Sequence, residues 1–274
     1  MPATTLFLCP ICQLPLTLNA TSFCCDNKHN FDIAKEGYVN LLPVQYKKSK
    51  QPGDNKAMIQ ARKRFLEQGF YDILITPCAE LINKYLTAAE QHNLLDTGCG
   101  DGYFTKRIFD LVTTPHNSYG MDISKEAVKS STNRDHCFHW FVASSRNIPL
   151  LAASIDCILK INSPLDYSAV VSKLSQTGTI VSVVPGAKHL HQLKSLIYAT
   201  VRLHDPELQP EGYKLLDSVN LSDTITLQTN REIEQLFMMT PFYWNAPQAA
   251  KHKILQLNQL STEIAFTINV WQQN

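Results

Sequence analysis

The sequence has almost no net charge and no long apolar run. Its 25 lysines and arginines are balanced by 24 aspartates and glutamates, which leaves a formal charge of +1 at pH 7. Composition by itself therefore gives no support to nucleic-acid binding. Since no run of about 18 apolar residues occurs, we expect no transmembrane helix and no membrane partner. The N-terminal segment also lacks the features of a signal peptide, so a cytoplasmic location is expected.

What the sequence does contain is the composition of an ordinary globular protein. Hydrophobic residues make up 44% of the chain and charged residues 18%, which argues against a disordered or fibrous protein. Because domains usually contain about 100 to 200 residues, a chain of 274 residues has room for one α/β domain and a smaller appendage.

The charged residues are unevenly distributed along the chain. Between Lys47 and Arg64 the only acidic residue is Asp54. The basic residues of this segment are Lys47, Lys48, Lys50, Lys56, Arg62, Lys63 and Arg64. This basic patch is a candidate surface for RNA phosphates, with Arg62 and Arg64 among its expected contacts.

The N-terminal cysteines have the spacing of a zinc site. Cys9 and Cys12 lie on one tight turn, and Cys25 precedes His29 by four positions. Four sulfur and nitrogen ligands suit tetrahedral zinc, and a ligand set filled by protein indicates a structural metal. Cys24 also has an acceptable spacing to His29, so the spacing does not decide whether Cys24 or Cys25 is the third thiolate ligand. The alternative is that these cysteines are buried apolar residues beside a surface histidine.

The rest of the chain alternates between strand-like and helical patterns. We divide it into a head (1–42), a basic connector with a helix (43–75) and a body (76–274). Strands are predicted at 93–97, 118–122, 137–142, 155–161, 179–184, 224–229 and 264–271, with late helices at 231–239 and 246–257. The alternation predicts a doubly wound, Rossmann-like α/β fold with a parallel sheet, whose ligands lie at the carboxyl ends of the strands.

A glycine-rich loop follows the first strand of the body, where residues 94–104 read LLDTGCGDGYF. Nicotinamide-binding loops have the form G-x-G-x-x-G, whereas this loop is G-x-G-x-G and has Asp96 two positions before Gly98. A carboxylate there would repel a pyrophosphate and suits a cationic ligand such as S-adenosylmethionine, which carries an ammonium and a sulfonium. The predicted cofactor residues of this loop are Asp96, Gly98, Gly100, Asp101 and Gly102. The alternative is a simple tight turn.

Two positions beyond the loop extend the predicted cofactor site. Asp122 ends the second strand, close to where an acidic side chain accepts hydrogen bonds from ribose hydroxyls. Ser144 follows the third strand, where an adenine could rest. The alternatives are an ordinary residue at a helix N-terminus for Asp122 and an ordinary loop residue for Ser144.

Further short motifs accompany the zinc ligands and the glycine loop. They are the run FDIAKEGYVNLLP at 31–43, Pro52-Gly53-Asp54, a helical segment at 58–71, Pro185-Gly186 with His189-Leu190, and Met239-Thr240-Pro241-Phe242. In this combination and order, the chain resembles the bacterial 23S rRNA (guanine-N1)-methyltransferases over nearly all of its length.

The resemblance implies a class I methyltransferase body and a small N-terminal zinc-ribbon-like domain that takes part in RNA recognition. It implies methyl transfer from S-adenosylmethionine to N1 of a specific guanine in a 23S rRNA hairpin. It favours Cys25 over Cys24 as a metal ligand. It also implies that Tyr71 and His189 border the cofactor or substrate pocket, although each could instead be a packing or surface residue.

The implied reaction needs a group that handles a proton, because the guanine N1 proton must leave. Asp166 and His189 are the candidate catalytic bases. N1 is engaged in a base pair within a duplex, so the target guanine should be unpaired or extruded. Phe242, Tyr243 and Trp244 are candidates for stacking on that base, the alternative being that they belong to the core.

Two other functions stay open on the sequence. One is a methyltransferase that acts on another RNA or on a small molecule, which the basic connector and the metal head disfavour. The other is a noncatalytic RNA-binding adaptor, which the complete set of glycines and carboxylates in the cofactor loop disfavours. A homodimer also stays open as the assembly.

Overall fold

A computed structural model describes residues 5–46, 53–86 and 91–274 of the chain. Lys47, Lys48 and Lys50 of the predicted basic patch lie outside the described residues, as does Pro52. Within the described ranges, no helix is both long enough and apolar enough to cross a membrane.

The N-terminal head forms a small antiparallel sheet and then joins the body. Its strands are β1 (Thr17–Asn19), β2 (Ser22–Cys24) and β3 (Asn30–Asp32), in the order β1-β2-β3. The next strand, β4 (Val39–Asn40), pairs in parallel with a strand of the body. Phe7 also forms a β-bridge with Leu150. The head is therefore built onto the edge of the body sheet.

The body contains a sheet of eight strands in the order β10-β11-β9-β8-β5-β6-β7-β4. The strands after β4 are β5 (His92–Thr97), β6 (His116–Asp122), β7 (His139–Val142), β8 (Ile155–Ile161), β9 (Leu174–Pro185), β10 (Tyr213–Leu227) and β11 (Leu260–Gln273). Strands β5 to β9 pair in parallel, which confirms the doubly wound, Rossmann-like fold. The order along the sheet reverses between β5 and β8, and in such sheets the ligand crevice lies at that reversal.

One strand departs from the expected parallel arrangement. β11 is antiparallel to both of its neighbours, β9 and β10, so the sheet is mixed. The alternation of strands and helices could not indicate this, because the chain returns into the gap between β9 and β10 and a strand inserted there can run in either direction.

Nine α-helices surround the sheet in the described part of the chain. They are α1 (Lys56–Leu66), α2 (Ile75–Tyr85), α3 (Tyr103–Phe109), α4 (Lys125–Ser131), α5 (Tyr167–Val170), α6 (His191–Ser195), α7 (Asn230–Met238), α8 (Phe242–Asn245) and α9 (Gln248–Ile254). Side-chain caps define several of their N-termini. Asn55 accepts from the amide of Met58 in α1, and Ser124 and Thr229 cap α4 and α7.

Some element boundaries differ from those predicted. α1 ends at Leu66 rather than near residue 71, because the chain turns at Gly69, whose φ is +81°. β9 begins at Leu174, before the predicted start of that strand at residue 179, and the predicted helix at 246–257 is α9 alone, which begins after Pro247. β10 begins at Tyr213 rather than 224, because its first half is a largely exposed edge strand with many polar residues.

Both faces of the body sheet are buried. Leu94 and Leu95 are adjacent in β5 and belong to different core clusters on opposite faces. Residues of α2, α3 and α7 cover the first face. The cluster on the second face includes Phe7, Leu16 and Phe23, all from the head. The head therefore takes part in covering the face on which it lies.

Candidate metal centre and cofactor site

Three thiols and one imidazole converge in the head. They belong to Cys9, Cys12, Cys25 and His29, and their ligand atoms all lie within 4.8 Å of one another. His29 Nδ1 is 3.4 Å from Cys9 Sγ and 3.5 Å from Cys25 Sγ, and the Sγ atoms of Cys12 and Cys25 are 3.6 Å apart. A tetrahedral zinc ion with bonds of about 2.3 Å to sulfur holds its sulfur ligands roughly 3.8 Å apart. The cluster therefore has the size and the donor set of a structural zinc site.

Two tight turns present these ligands. A hydrogen bond from the Gln13 amide to the Cys9 carbonyl (2.8 Å) closes the first turn, and one from Lys28 to Cys25 (2.8 Å) closes the second. Gln13 and Lys28 both have a positive φ, of 61° and 63°, which turns the chain back toward the cluster. Cys24 lies outside the cluster, because its thiol donates to the side-chain oxygen of Asn30 at 2.7 Å.

The glycine loop connects β5 to α3 at the point where the strand order reverses. A side chain at Gly98 would place its Cβ 2.5 Å from Cβ of Ser163, so this position is closed to any other residue. Gly100 has a φ of +57°, and a Cβ built there meets no atom within 4 Å. The loop therefore packs tightly at Gly98 and faces open space at Gly100. This arrangement lets a ligand approach the backbone of the loop.

Asp96, at the end of β5, has one carboxylate oxygen free for a ligand. The side chain is buried, and its Oδ2 accepts from the hydroxyl of Thr105 at 2.6 Å. Its buried Oδ1 has no hydrogen-bond partner among the described residues. Burial raises the pKa of Asp96 to about 7. An ammonium group placed against Oδ1 would satisfy it and favour the ionised carboxylate, so this residue fits S-adenosylmethionine.

Asp122, at the end of β6, is held in place by two backbone amides. Its Oδ2 accepts from the amide of Gly100 at 3.1 Å, and its Oδ1 accepts from the amide of Ser124 at 2.7 Å. These bonds tie the glycine loop to the second strand. Burial raises the pKa of Asp122. A carboxylate anchored at this point has lone pairs left for the hydroxyl groups of a ribose.

Asp101, predicted to be a cofactor residue, has its carboxylate paired with an arginine. It is buried and forms an ion pair with Arg134, which also lies 3.1 Å from a carboxylate oxygen of Glu67 just after α1. The carboxylate of Asp101 is therefore engaged in packing α3 against α1. Its contact with a cofactor stays a prediction.

Tyr71 and His189 are brought together from distant parts of the chain. The Tyr71 hydroxyl lies 3.4 Å from His189 Nε2, and His189 Nδ1 accepts from the backbone amide of Ala265 at 3.2 Å. Because Nδ1 is an acceptor, Nε2 carries the proton. Burial lowers the pKa of His189 to about 3. The imidazole is thus neutral and its Nδ1 lone pair is engaged, which disfavours the role of base predicted for it.

Asp166, the other candidate base, is the N-cap of α5. Its Oδ1 accepts from the Ser168 hydroxyl at 2.6 Å and from the Ala169 amide at 3.3 Å. The Ser168 hydroxyl holds the pKa of Asp166 below its usual value, which makes this carboxylate a weak base. A cavity of about 340 Å³ adjoins it, lined by Ser145, Arg146, Pro164, Leu165, Asp166 and Tyr167.

Ser144, the predicted adenine contact, lies two residues after the end of β7. Its hydroxyl accepts from the amide of Arg146 at 3.3 Å, and the residue is half-buried. It is therefore at the carboxyl edge of the sheet, as expected from the sequence, and its contact with a cofactor stays a prediction.

The structure gives Arg62 a role that the basic pattern did not indicate. Arg62 forms an ion pair with Asp54, and its Nη2 lies 3.5 Å from the carbonyl of Met239. The carbonyl of Asp54 in turn accepts from the Ser124 hydroxyl at 3.0 Å, two residues after the ribose-site carboxylate. Arg62 therefore supports the cofactor site, whereas Arg64 is exposed. In the sequence, the Pro-Gly-Asp motif at 52–54 contains Asp54, the partner of Arg62 in this ion pair.

The three predicted stacking aromatics differ in exposure. Phe242 and Tyr243 are half-buried and pack against the main core cluster. Trp244 is 51% exposed, and its Nε1 lies 3.2 Å from the sulfur of Met58 in α1. Trp244 therefore has a ring face accessible for stacking, while the other two rings belong largely to the core.

Two family models match separate parts of the chain. The zinc ribbon described as RlmA, N-terminal, matches residues 7–50. A methyltransferase domain matches residues 94–177, which contain the glycine loop, Asp122 and Ser144. The two matches correspond to the metal centre and to the cofactor site described above.

Sequence similarity to known proteins extends over both of these parts of the chain. "Putative 23S rRNA (guanine-N(1)-)-methyltransferase YxjB" of Bacillus subtilis (strain 168) is 26% identical over 277 residues, covering 97% of this chain and 96% of that protein. The 23S rRNA (guanine(748)-N(1))-methyltransferase of Streptomyces fradiae is also 26% identical, over 95% of each chain. Among solved structures, geranyl diphosphate methyltransferase in complex with SAM covers 82% of this chain and 93% of its own, at 13% identity and a TM-score of 0.45.

Proposed function

We propose that this homologue of the 23S rRNA (guanine-N1)-methyltransferases transfers a methyl group from S-adenosylmethionine to N1 of a specific guanine in a 23S rRNA hairpin. The observation that carries the proposal is the similarity to two such proteins over at least 95% of the chain. That similarity includes both the zinc ribbon and the methyltransferase domain.

S-adenosylmethionine would supply the methyl group, and the loop after β5 would hold it. In this proposal Asp96 Oδ1 accepts from the cofactor's ammonium group, and Asp122 accepts from its ribose hydroxyls. Tyr71 and His189 form a neutral, hydrogen-bonded wall of the pocket. The remaining proposed contacts are Gly98, Gly100, Asp101 and Gly102 through their backbone, and Ser144 near the adenine.

The parts of the chain have separate roles in this proposal. The head (1–42) recognises RNA, the connector (43–75) adds basic residues, and the body (76–274) carries out the transfer. Zinc holds the head in shape, because a segment of this size cannot bury enough surface to be stable by itself. The proposal places the enzyme in the cytoplasm with its rRNA substrate and is compatible with a homodimer.

The reaction depends mainly on alignment. Proximity and orientation are worth up to roughly 7 to 11 kcal/mol when the reacting atoms are held in line. Since base pairing covers N1, the guanine must be unpaired or extruded before N1 can face the cofactor. The exposed ring of Trp244 at the end of α8 is a surface on which such an RNA base could stack.

A methyl group on N1 should be detectable as a block to reverse transcription, because it occupies the Watson–Crick edge of guanine. Unmodified 23S rRNA incubated with the protein and S-adenosylmethionine is expected to give one new primer-extension stop. Nucleoside mass spectrometry should then identify N1-methylguanine. Reactions without cofactor are the control. A methyl group on another atom, or turnover of a small molecule with no rRNA product, would contradict the proposed substrate.

Charge reversal at two neighbouring arginines should separate RNA binding from cofactor binding. Arg64→Glu is expected to weaken RNA binding, more so at low salt, and to reduce the salt dependence by about one phosphate contact, with cofactor affinity unchanged. Arg62→Glu should lower cofactor affinity as well, because it breaks the ion pair with Asp54 beside Ser124. Calorimetry with S-adenosylmethionine and RNA binding across a salt series measure both. Equal effects of the two variants on cofactor affinity would argue against the assigned role of Arg62.

A further inference from the structure

Lys194 in α6 is a buried cation without an acidic partner. Its side chain is 4% exposed, and its Nζ donates to His204 Nε2 at 2.6 Å. The same amine lies 5.5 Å from the centre of the Phe242 ring. Among the described residues, no carboxylate forms an ion pair with it. A buried amine with these neighbours is costly unless it has a further partner.

The groups around Lys194 are two imidazoles and the carboxylate of Asp205, which forms no ion pair with Lys194 among the described residues. Burial lowers the pKa of Lys194 itself. Burial also lowers the pKa of His204, with Lys194 adding to the shift and Asp205 opposing it. The ring of His189 lies 6.2 Å from that of His204, and its pKa is lowered as well. Of these nitrogen groups, the Lys194 amine is the one with further N–H donors for an oxygen that carries negative charge.

The backbone places this cluster at the carboxyl edge of the sheet. α6 follows β9 by way of Leu190, which has a φ of 56°, and its amide donates to the carbonyl of Glu263 at 2.8 Å. The amide of His204 donates to the carbonyl of Ala187 at 3.0 Å, which ties its segment to the same edge. A leucine in the left-handed region is strained, and such strain is concentrated at functional sites. In doubly wound sheets this edge is where ligands bind.

We infer that Lys194, supported by His204, binds O6 of the target guanine. This inference rests on the proposed function. In the transfer, the N1–H bond breaks and its proton passes to water, while a bond forms between N1 and the methyl carbon as the methyl–sulfur bond breaks. Negative charge that develops on O6 as N1 loses its proton is stabilised by the Lys194 ammonium.

The inference supplies what the two predicted bases lack. His189 has no free lone pair, and Asp166 is a helix cap with a lowered pKa. A cation at O6 makes N1–H more acidic, so water suffices as the proton acceptor. The carboxylate of the cofactor is a second source of anionic oxygen, and it must be tested separately.

The test compares Lys194→Met with Lys194→Arg and with a matched control, Lys251→Met. Lys251 in α9 also has its amine over an aromatic ring, 5.0 Å from the centre of Tyr243. Single-turnover methylation by Lys194→Met is expected to fall by about 10²- to 10³-fold, as on removal of one oxyanion donor. Lys194→Arg should recover part of the rate, and Lys251→Met should retain it.

Three further readouts separate this role from the alternatives. For Lys194→Met, cofactor affinity by calorimetry should stay within about twofold, and the melting temperature should hold or rise, since an uncompensated charge is removed. The methylation rate of the variant should increase more steeply with pH than that of the wild type, because the Lys194 ammonium no longer favours ionisation of the guanine N1.

Each contrary result has a distinct meaning. A large loss of cofactor affinity with an unchanged rate at saturating cofactor would assign Lys194 to the cofactor carboxylate and overturn the inference. A lower melting temperature with equal losses in all functions would make its role structural. An unchanged rate would also refute it. If the wild type forms no N1-methylguanine, the proposed function fails and the inference fails with it.

Discussion

Replacement of Cys9 by serine is expected to release zinc and to unfold the ribbon of β1, β2 and β3. Cys9 is fully buried, its sulfur lies 3.4 Å from His29 Nδ1, and its loss leaves the cluster with three ligands. In small zinc domains, metal binding contributes on the order of 10 kcal/mol to folding. Metal analysis of the purified variant should show less than stoichiometric zinc, and limited proteolysis should cleave within the head.

The same substitution should also destabilise the body, contrary to what a separate head would predict. The Phe7 ring packs 5.2 Å from Phe23 in the head and 5.1 Å from Phe141 in the body, measured between ring centres. Full exposure of one buried Phe side chain costs about 1.5 to 3 kcal/mol. For a domain of this size we expect the melting temperature of the body to fall by roughly 5 to 10 °C.

Cys24→Ser is the matched control for the zinc experiment. Cys24 is adjacent to a ligand but donates to Asn30, a bond that a serine hydroxyl can also make. This variant should retain about one zinc per chain and the wild-type melting temperature. Loss of zinc from Cys24→Ser but not from Cys9→Ser would reverse the ligand assignment, and a wild-type protein without stoichiometric metal would remove the zinc site altogether.

Local spacing was sufficient to predict the metal site because its ligands are close in sequence. Cys9 and Cys12 lie on one turn, and Cys25 and His29 on another. What spacing could not decide was the choice between adjacent cysteines. That choice depends on the side of the small sheet on which each thiol lies. The register of β2 with β1 and β3 determines that side.

The parallel strands were predictable for a similar reason. Each of β5 to β9 contains a buried stretch that is mostly apolar in β5, β7, β8 and the second half of β9, and such stretches are visible without knowledge of their partners. The first half of β10 was missed because a strand at the sheet edge exposes polar side chains. The direction of β11 depends on where the chain returns, which local pattern does not encode.

Contacts between distant segments account for the other differences. Arg62 was predicted to bind RNA from its place in a basic run, yet Asp54 and the carbonyl of Met239 engage it. Burial in the folded chain lowers the pKa of His189, and the amide of Ala265, 76 residues away, fixes its tautomer. Lys194 could not be recognised at all, because its burial and its contact with His204 exist only in the folded chain.

Gly100→Arg is expected to abolish binding of S-adenosylmethionine. The glycine has a φ of +57° and faces open space, so the arginine side chain would extend into the volume proposed for the cofactor. Its positive charge would also compete with the cofactor's ammonium for Asp96 and Asp122. We expect affinity to fall by at least about 100-fold, which corresponds to roughly 2.7 kcal/mol. Isothermal titration calorimetry with wild type and variant measures this directly.

Two variants separate loss of space from loss of backbone freedom in that experiment. Gly100→Ala keeps the volume nearly empty and tests the positive φ alone, so its affinity should fall much less than that of Gly100→Arg. Gly212→Arg places the same side chain at another glycine with a φ of +80° and open surroundings, just before β10, and should bind the cofactor as the wild type does. Melting temperatures show whether each variant is folded. Equal cofactor affinity in Gly100→Arg and the wild type, or tighter binding of a nicotinamide dinucleotide by the wild type, would overturn the cofactor assignment and leave the zinc head as the better-supported site.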